Sequence, residues 1–345
     1  MLMRTIRWGI LGCGDVTEIK SGPGFQKAEG SALVAVMRRD AAKAEDYARR
    51  HGVPRWYADA AALIADPEVD AIYVATPPGS HCELALAACA AGKPCYVEKP
   101  MARNHAECVR MVEAFRKAGL PLFVAYYRRG LPRFLRARDL VRDGAIGRVT
   151  SVAVRCLDPR HRSTDPASLP WRVEAGNSGG GIFLDLGSHA LDYLDFVLGP
   201  LLEARGTASN LGGVAAVEDV VELSFRTADG ARGQGLWNFA SDHREDRIEF
   251  VGTGGRITFS CFGTDPLCLE RGGKAELFAE PMPAHVQQPL IQTMVDELRG
   301  RGTCPSTGES GARTQAVMDA ALEGYYGGRQ RAFWEDDPAA WPGRG

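Results

Sequence analysis

Residues 4–16 read RTIRWGILGCGDV, an apolar run that stops at two glycines separated by a single cysteine. The run at 4–11 predicts a short buried strand, and the segment 15–29 behind the glycines predicts a partly helical stretch. Gly12 permits a tight turn. Gly14 lets the main chain approach a pyrophosphate, which the exposed N–H groups at the start of the following helix, around Asp15 and Val16, would hold. Thr17 stands where such loops usually carry a third small residue. A glycine pair alone is a weak signal; directly after a leading strand it points to a dinucleotide.

Outward from this loop the pattern repeats. Apolar runs at 32–37, near 54–57, and at 70–75, 94–98 and 121–126 alternate with helical compositions at 41–51, 59–65, 81–91 and 104–118. Strands that are continuously apolar and regularly interrupted by helices predict a parallel, doubly wound α/β sheet covered on both faces. Ligands of such sheets lie beyond the carboxyl ends of the strands. Gly12-Cys13-Gly14, Arg38-Arg39, Thr76-Pro77-Pro78 and Glu98-Lys99-Pro100 all fall there.

Composition narrows the partners. The chain has 345 residues, enough for two domains because single cores stop growing at about 250–300. With 45% hydrophobic and 24% charged residues and a formal net charge of -2, nothing favours nucleic acid or an anionic membrane, and a small-molecule substrate is expected. The 9 cysteines are scattered without a CxxC or a Cys/His cluster, so neither a disulfide framework nor a metal set is expected, and reduced thiols in a cytoplasm are. No apolar run has the length of a spanning helix or of an export signal. The GxSxG elbow of serine hydrolases and the HExxH of metalloproteases are missing.

The end of the second strand bears on cofactor choice. NAD sites place an acid there for the ribose hydroxyls; this chain has Met37-Arg38-Arg39. Two guanidiniums suit a 2′-phosphate, whose oxygens accept the paired donors of each planar fork, so NADP is expected over NAD. The competing reading leaves both arginines solvated and makes Asp40 the cap of the next helix.

A second constellation lies at 178–199, SGGGIFLDLGSHALDYLDFVLG. It predicts a helix over 181–198 behind three glycines, with Asp185 and His189 one turn apart on one face and Asp192 and Asp195 continuing the polar side. A carboxylate one turn from an imidazole can orient it, and glycines allow a ligand to come close. A lone histidine on such a helix is more often structural.

Together, GILGCGDV, ATPPGSH at 75–81, the EKP at 98–100, the DxxxH of 185–189 and PSTGESGARTQAVMDAALEGYY near the C-terminus resemble the Gfo/Idh/MocA oxidoreductases, the glucose–fructose oxidoreductase and inositol dehydrogenase group, in order and over nearly the whole chain. The resemblance implies that Lys99 sits beside the nicotinamide and the substrate hydroxyl, that Glu98 borders the cofactor, that Lys99-Pro100 is cis, and that Asp185 and His189 complete the catalytic set. Thr76, Pro77 and His81 would then line the cofactor; Lys20, Tyr126, Arg128, Trp171 and Arg172 would contact substrate. Tyr126, Tyr127, Arg128 and Arg129 together follow the sixth strand, where family members contact substrate, and read equally as cover for a domain junction.

From residue 128 onward, strands at 148–156, 201–209, 217–227, 232–240, 246–251, 256–261 and 267–270 predict an α+β domain with a large, mostly antiparallel open sheet. Helices including 181–198 and 285–300 would cover one face, and the helices at 285–300 and 309–326 would return towards the first domain. The expected organisation is a Rossmann domain over 1–127 and a substrate-binding and oligomerisation domain over 128–345, assembling as a dimer or tetramer through the open sheet as the family does. The leading expectation is an NADP-dependent oxidoreductase acting on a sugar, polyol or related molecule. Two alternatives are a non-catalytic NADP-binding sensor and a lyase or hydrolase that removes and returns a hydride.

Overall fold

The computed structural model describes residues 5–159, 165 and 168–344. The chain divides into two compact units. One takes in the chain up to Ala102, Glu107–Leu131 and Met282–Ala312; the other takes in Arg103–Ala106, Pro132–Pro281 and Arg313 onward. The division thus interleaves segments that a single cut at 127 would separate.

In the first unit, β1 (Ile6–Leu11), β2 (Ser31–Met37), β3 (Arg55–Tyr57), β4 (Ala71–Val74), β5 (Cys95–Val97) and β6 (Leu122–Val124) form one sheet in the order β3-β2-β1-β4-β5-β6. Every neighbouring pair is parallel. The unbroken apolar runs explain why: all four residues of β4 and all three of β5 are buried, as helices on both faces require. Strand order reverses between β1 and β4, the switch point where such sheets open a crevice.

Helix ends follow the local chemistry. Asp40 caps the helix Ala41–His51, accepting from the Lys43 N–H at 3.2 Å, and Gly52 ends it at φ +64°. The segment behind the glycine loop departs from plain helix. Thr17–Ser21 forms a π-helical turn before the helix Gly22–Lys27. Packing is the cause, and periodicity cannot report it: a Cβ on Gly22 would lie 2.3 Å from both the Thr17 carbonyl oxygen and the Tyr47 hydroxyl, and that hydroxyl donates to the Thr17 carbonyl at 2.8 Å.

The helix Gln288–Leu298 corrects an expectation. It belongs to the first unit, where Leu290, Ile291, Met294 and Val295 join Trp8, Phe25 and Tyr96 in one apolar cluster instead of covering the second sheet. Burying four such side chains contributes about 6–12 kcal/mol as an upper estimate, which decides where the segment packs.

In the second unit, β7 (Val149–Leu157), β8 (Leu202–Ser209), β9 (Val220–Arg226), β10 (Arg232–Asn238), β11 (Glu245–Gly252), β12 (Arg256–Phe259), β13 (Leu267–Arg271) and β14 (Lys274–Phe278) form a sheet in the order β14-β13-β12-β11-β7-β10-β9-β8, antiparallel except for β7 against β10. Alternation sets its two faces. β9 buries Val221, Leu223 and Phe225 and turns Glu222 and Ser224 outward. Helix Ile182–Leu198 packs on the buried face, with Tyr193 edge-on to Phe259 and Phe183 edge-on to Trp237. β14 is absent from the sequence reading because none of its side chains is buried and no apolar alternation marks it. Its signal is the turn: Gly272 and Gly273, both at positive φ, form a two-residue hairpin loop.

Gly12 has φ +90°, and a Cβ there would meet the Thr76 Cγ2 at 2.8 Å and the Thr76 nitrogen at 3.0 Å. Gly12→Ala is therefore expected to lower unfolding stability by about 1–3 kcal/mol in urea titration. A variant as stable as the parent would contradict this close approach.

Candidate functional site

A first group of candidate residues lies at the switch point of the first unit. Gly12 and Cys13 donate their N–H groups to the Met37 carbonyl, and the Ala75 N–H donates to the Leu11 carbonyl. These bonds fix the glycine loop against the ends of β2 and β4, so Gly12 and Thr76 touch across the crevice. A Cβ at Gly14 would meet no atom nearer than 3.9 Å, so the loop's outer side is open, as approach by a pyrophosphate requires. Asp15 and Lys20 are exposed, and Val16 is half-buried. Burial, the largest influence, pushes the Cys13 thiol up to about 11, which leaves it neutral and unreactive.

At the end of β2, Arg38 is half-buried and its guanidinium donates to the Cys13 carbonyl at 3.4 Å, a long bond that lays it along the glycine loop. Arg39 is exposed. Asp40 is engaged as the helix cap and faces Lys43 at 3.4 Å, so the next acid along is occupied.

After β4, Pro77 is exposed and Thr76 accepts a hydrogen bond from Ser80 at 2.7 Å. His81 corrects its expected place against the cofactor. It is fully buried, with Nε2 2.7 Å from the Thr76 carbonyl and Nδ1 3.1 Å from the Pro100 carbonyl. Both ring nitrogens face protein, so the side chain braces two loops and offers nothing to a ligand. Burial, chiefly, lowers its pKa, and a neutral ring donates to one of the two carbonyls.

Lys99 follows β5 half-buried, and the Lys99-Pro100 bond is cis. Beneath it Glu98 is buried at 7% exposure. Its Oε1 accepts from the Tyr73 hydroxyl at 2.5 Å and from Gln287 Nε2 at 2.7 Å, and its Oε2 accepts from the Lys99 N–H at 3.1 Å. Three donors surround it, the environment a buried carboxyl group needs. Burial first, then the neighbouring Glu98, push the Tyr73 phenol well above its ordinary value, so it keeps the proton it donates. Gln287 is fully buried and accepts from the Tyr96 hydroxyl at 2.8 Å. The sequence reading missed both Tyr73 and Gln287: the first is hidden in an apolar run, the second opens an ordinary helix.

Tyr126 and Arg128, at 1% and 4% exposure, are packed away from solvent in this unit. The Arg128 guanidinium lies 5.1 Å over the ring of Tyr127, and Arg129, also buried, donates to the Pro305 carbonyl at 2.9 Å.

A second group of candidate residues lies in the other unit. Asp185 lies in the first turn of the helix Ile182–Leu198, half-buried, and accepts from Arg172 Nε at 3.0 Å. Arg172 also stacks 4.4 Å over the ring of Trp171, so these three residues form one group. His189, one turn on, is 3% exposed and edge-on to Phe262 at 5.8 Å. Asp192 is fully buried, and Asp195 is held by both nitrogens of the Arg313 fork at 2.8 Å.

Two of the three glycines have a packing reason of their own. A Cβ on Gly179 would lie 2.4 Å from the Arg103 carbonyl oxygen, and one on Gly181 would lie 2.1 Å from that of Glu218, so they admit protein backbone. Buried Arg329 ties this segment down, donating to the carbonyls of Gly179 and Arg103 at 2.8 Å and pairing with Asp319 at 2.8 Å. Glu218 accepts from the Gly181 N–H at 2.9 Å and from the Tyr326 hydroxyl. Pattern reading of the sequence gave no sign of either residue.

A sheet in the order 3-2-1-4-5-6 with a glycine loop at its switch point defines a dinucleotide-binding Rossmann unit. Residues 6–126 match the model for the oxidoreductase family with an NAD-binding Rossmann fold, and residues 134–258 match that for the GFO/IDH/MocA C-terminal domain. The chain is similar to Oxidoreductase P35 of Formosa agariphila, 36% identical over 91% of this chain and 97% of the relative. It is also similar to 1,5-anhydro-D-fructose reductase of Ensifer adhaerens, 31% identical over 92% and 97%. A levoglucosan dehydrogenase solved with NADH and levoglucosan shares the fold at a TM-score of 0.82 and 23% identity, over 92% of this chain and 96% of that one. The chain belongs to the Gfo/Idh/MocA family of oxidoreductases. Among the described residues no helix is long and apolar enough to cross a membrane, and all nine cysteines are free.

The brace at His81 carries a pH dependence. Because burial holds its folded pKa below the ordinary 6.5, the unfolded chain takes up the proton first. Its contribution is complete above 6.5 and is lost as pH falls from there through the folded value. Urea titrations between pH 8 and 5 are expected to show a smaller acid loss in His81→Asn than in the parent; equal slopes would contradict the assignment.

Proposed function

We propose that this chain is an NADP-dependent oxidoreductase that moves a hydride between the nicotinamide and a hydroxyl or carbonyl carbon of a sugar, polyol or related small molecule. The observation that carries the reading is the placement of Lys99, half-buried behind β5, on a loop fixed from below by Glu98 at the crevice edge of a dinucleotide sheet. Bound nicotinamide would supply or accept the hydride. The open glycine loop fits its pyrophosphate, with Gly12, Gly14, Asp15, Val16, Thr76 and Pro77 beside it.

The chain's own residues handle the proton. Lys99, His189 or both give a proton to the substrate oxygen during reduction and take it back during oxidation, and Asp185, held by Arg172, binds or orients. Trp171 and Lys20 fit as further substrate contacts, one by stacking on a sugar face and the other from the turn behind the glycine loop. Cofactor choice rests on Arg38 and Arg39. The matched family description names NAD and the levoglucosan neighbour carries NADH, whereas here the end of β2 offers two guanidiniums and the nearest acid is spent on a cap. The names of the relatives make anhydro sugars the first carbonyl compounds to test. Self-association through the second sheet and a cytoplasmic setting complete the proposal; a monomer mass in light scattering would remove the former.

NADPH and NADH oxidation by 1,5-anhydro-D-fructose and other sugar carbonyls, followed side by side, tests this function. Lys99→Ala is expected to lower kcat by about 10²–10⁴-fold. Replacing Arg38 and Arg39 by alanine is expected to raise KM for NADPH by about tenfold or more and to leave that for NADH nearly unmoved. Unchanged turnover in Lys99→Ala, or a strong NADH preference in the parent, would overturn the respective part.

A further inference from the structure

Gln287 is separated from Glu98 by 189 positions in the chain and is fully buried against it. Its side chain donates to Glu98 Oε1 and accepts from Tyr96, and its own N–H donates to the Lys20 carbonyl at 3.2 Å in the π-helical turn behind the glycine loop. His285, two residues before it, lies with Nδ1 2.7 Å from the Ile19 carbonyl of the same turn. One short segment therefore fastens the glycine-loop turn by its main chain and the Glu98 carboxyl by its side chain. The amide has one consistent orientation: flipped, its oxygen would face the carboxyl oxygen.

We propose that Gln287, with Tyr73, is a positioning residue for Lys99, acting through the Glu98 carboxyl that both hold and that receives the Lys99 N–H. Pro100 has no N–H, so the Lys99 N–H is the donor that this stretch offers to the polar cluster beneath it, while the Pro100 carbonyl faces His81 at 3.1 Å. With Tyr73 and Gln287 both donating to Oε1, the carboxyl is held against rotation and Oε2 stays under the Lys99 N–H. Without the Gln287 amide the carboxyl keeps one holder, Tyr96 loses its acceptor, and the main chain carrying the Lys99 amine loosens. A displacement of a positioned group by about 1 Å can cost about a hundredfold in rate. The inference rests on the proposed role of Lys99.

The test uses the full chain with NADPH bound, comparing the parent, Gln287→Met, Gln287→Glu, Tyr73→Phe and, as control, Lys99→Ala. In Gln287→Met the Lys99 amide is expected to exchange with deuterium about tenfold faster or more while the amides of β1 are unmoved. With 1,5-anhydro-D-fructose, kcat is expected to fall at least about tenfold and KM for NADPH to stay within about twofold, because the main-chain bond to the Lys20 carbonyl survives. Gln287→Glu can donate to Glu98 only when one proton is shared between the two carboxyls, so it is expected to regain activity on acidification, a pH dependence that a mere packing role would not produce. Tyr73→Phe, which keeps the ring, is expected to move both readouts the same way by less, and it decides the matter should Gln287→Met fail to fold. Unchanged exchange at Lys99, or full kcat in Gln287→Met while Lys99→Ala is inactive, would overturn the inference and leave the function standing. An active Lys99→Ala would overturn the function instead. A parent silent towards this sugar would remove that substrate, and amide exchange alone would then decide.

Discussion

Everything around the loop that follows β5 depends on one carboxyl almost withdrawn from water. Glu98 lies behind the central strands at 7% exposure, and a carboxyl so placed is tolerated only where donors surround it. Tyr73, Gln287 and the Lys99 main chain supply them. The requirement runs both ways. The sheet must carry a tyrosine in an otherwise apolar strand, a distant segment must return to deliver an amide, and the loop that follows β5 is thereby held against the sheet. Tyr73 and Tyr96 stack at 4.8 Å, so the polar cluster is walled by aromatic area and loses little of the core's apolar burial.

The second unit solves a similar problem by other means. Its site helix begins at glycines pressed against the Arg103 and Glu218 main chains, and that approach is secured by Arg329, a buried guanidinium satisfied by two carbonyls and Asp319. Arg329 also lies over the rings of Tyr326 and Phe333. Removing such a cation's partners would leave a buried charge uncompensated, which is why the C-terminal stretch is part of the site's support. Asp185 therefore starts from a fixed helix end. Its partner Arg172 is itself steadied on Trp171.

The sheet of the first unit was legible because burial on both faces leaves continuous apolar runs, and the motifs were legible because they punctuate those runs. What pattern reading could not supply was any relation between distant residues. His81 looks like a loop residue facing a cofactor and proves to be a brace, because both carbonyls it meets come from separate turns. Gly179 and Gly181 look like room for a ligand and prove to press against main chain. The helix at 288–298 carries an ordinary amphipathic stripe, and a stripe does not say which sheet it covers. β14 has no buried face at all, so only its two-glycine turn marks it.

In the form of the proposal in which both groups act, the Lys99 amine and the His189 imidazole serve one substrate oxygen. The most direct test is a double-mutant cycle on kcat/KM with Lys99→Ala, His189→Ala and the two combined, since residues acting on one transition state are strongly non-additive. The account predicts that the combined variant is scarcely slower than the slower single one. Losses that simply multiply would mean that the two side chains work apart, and would contradict it.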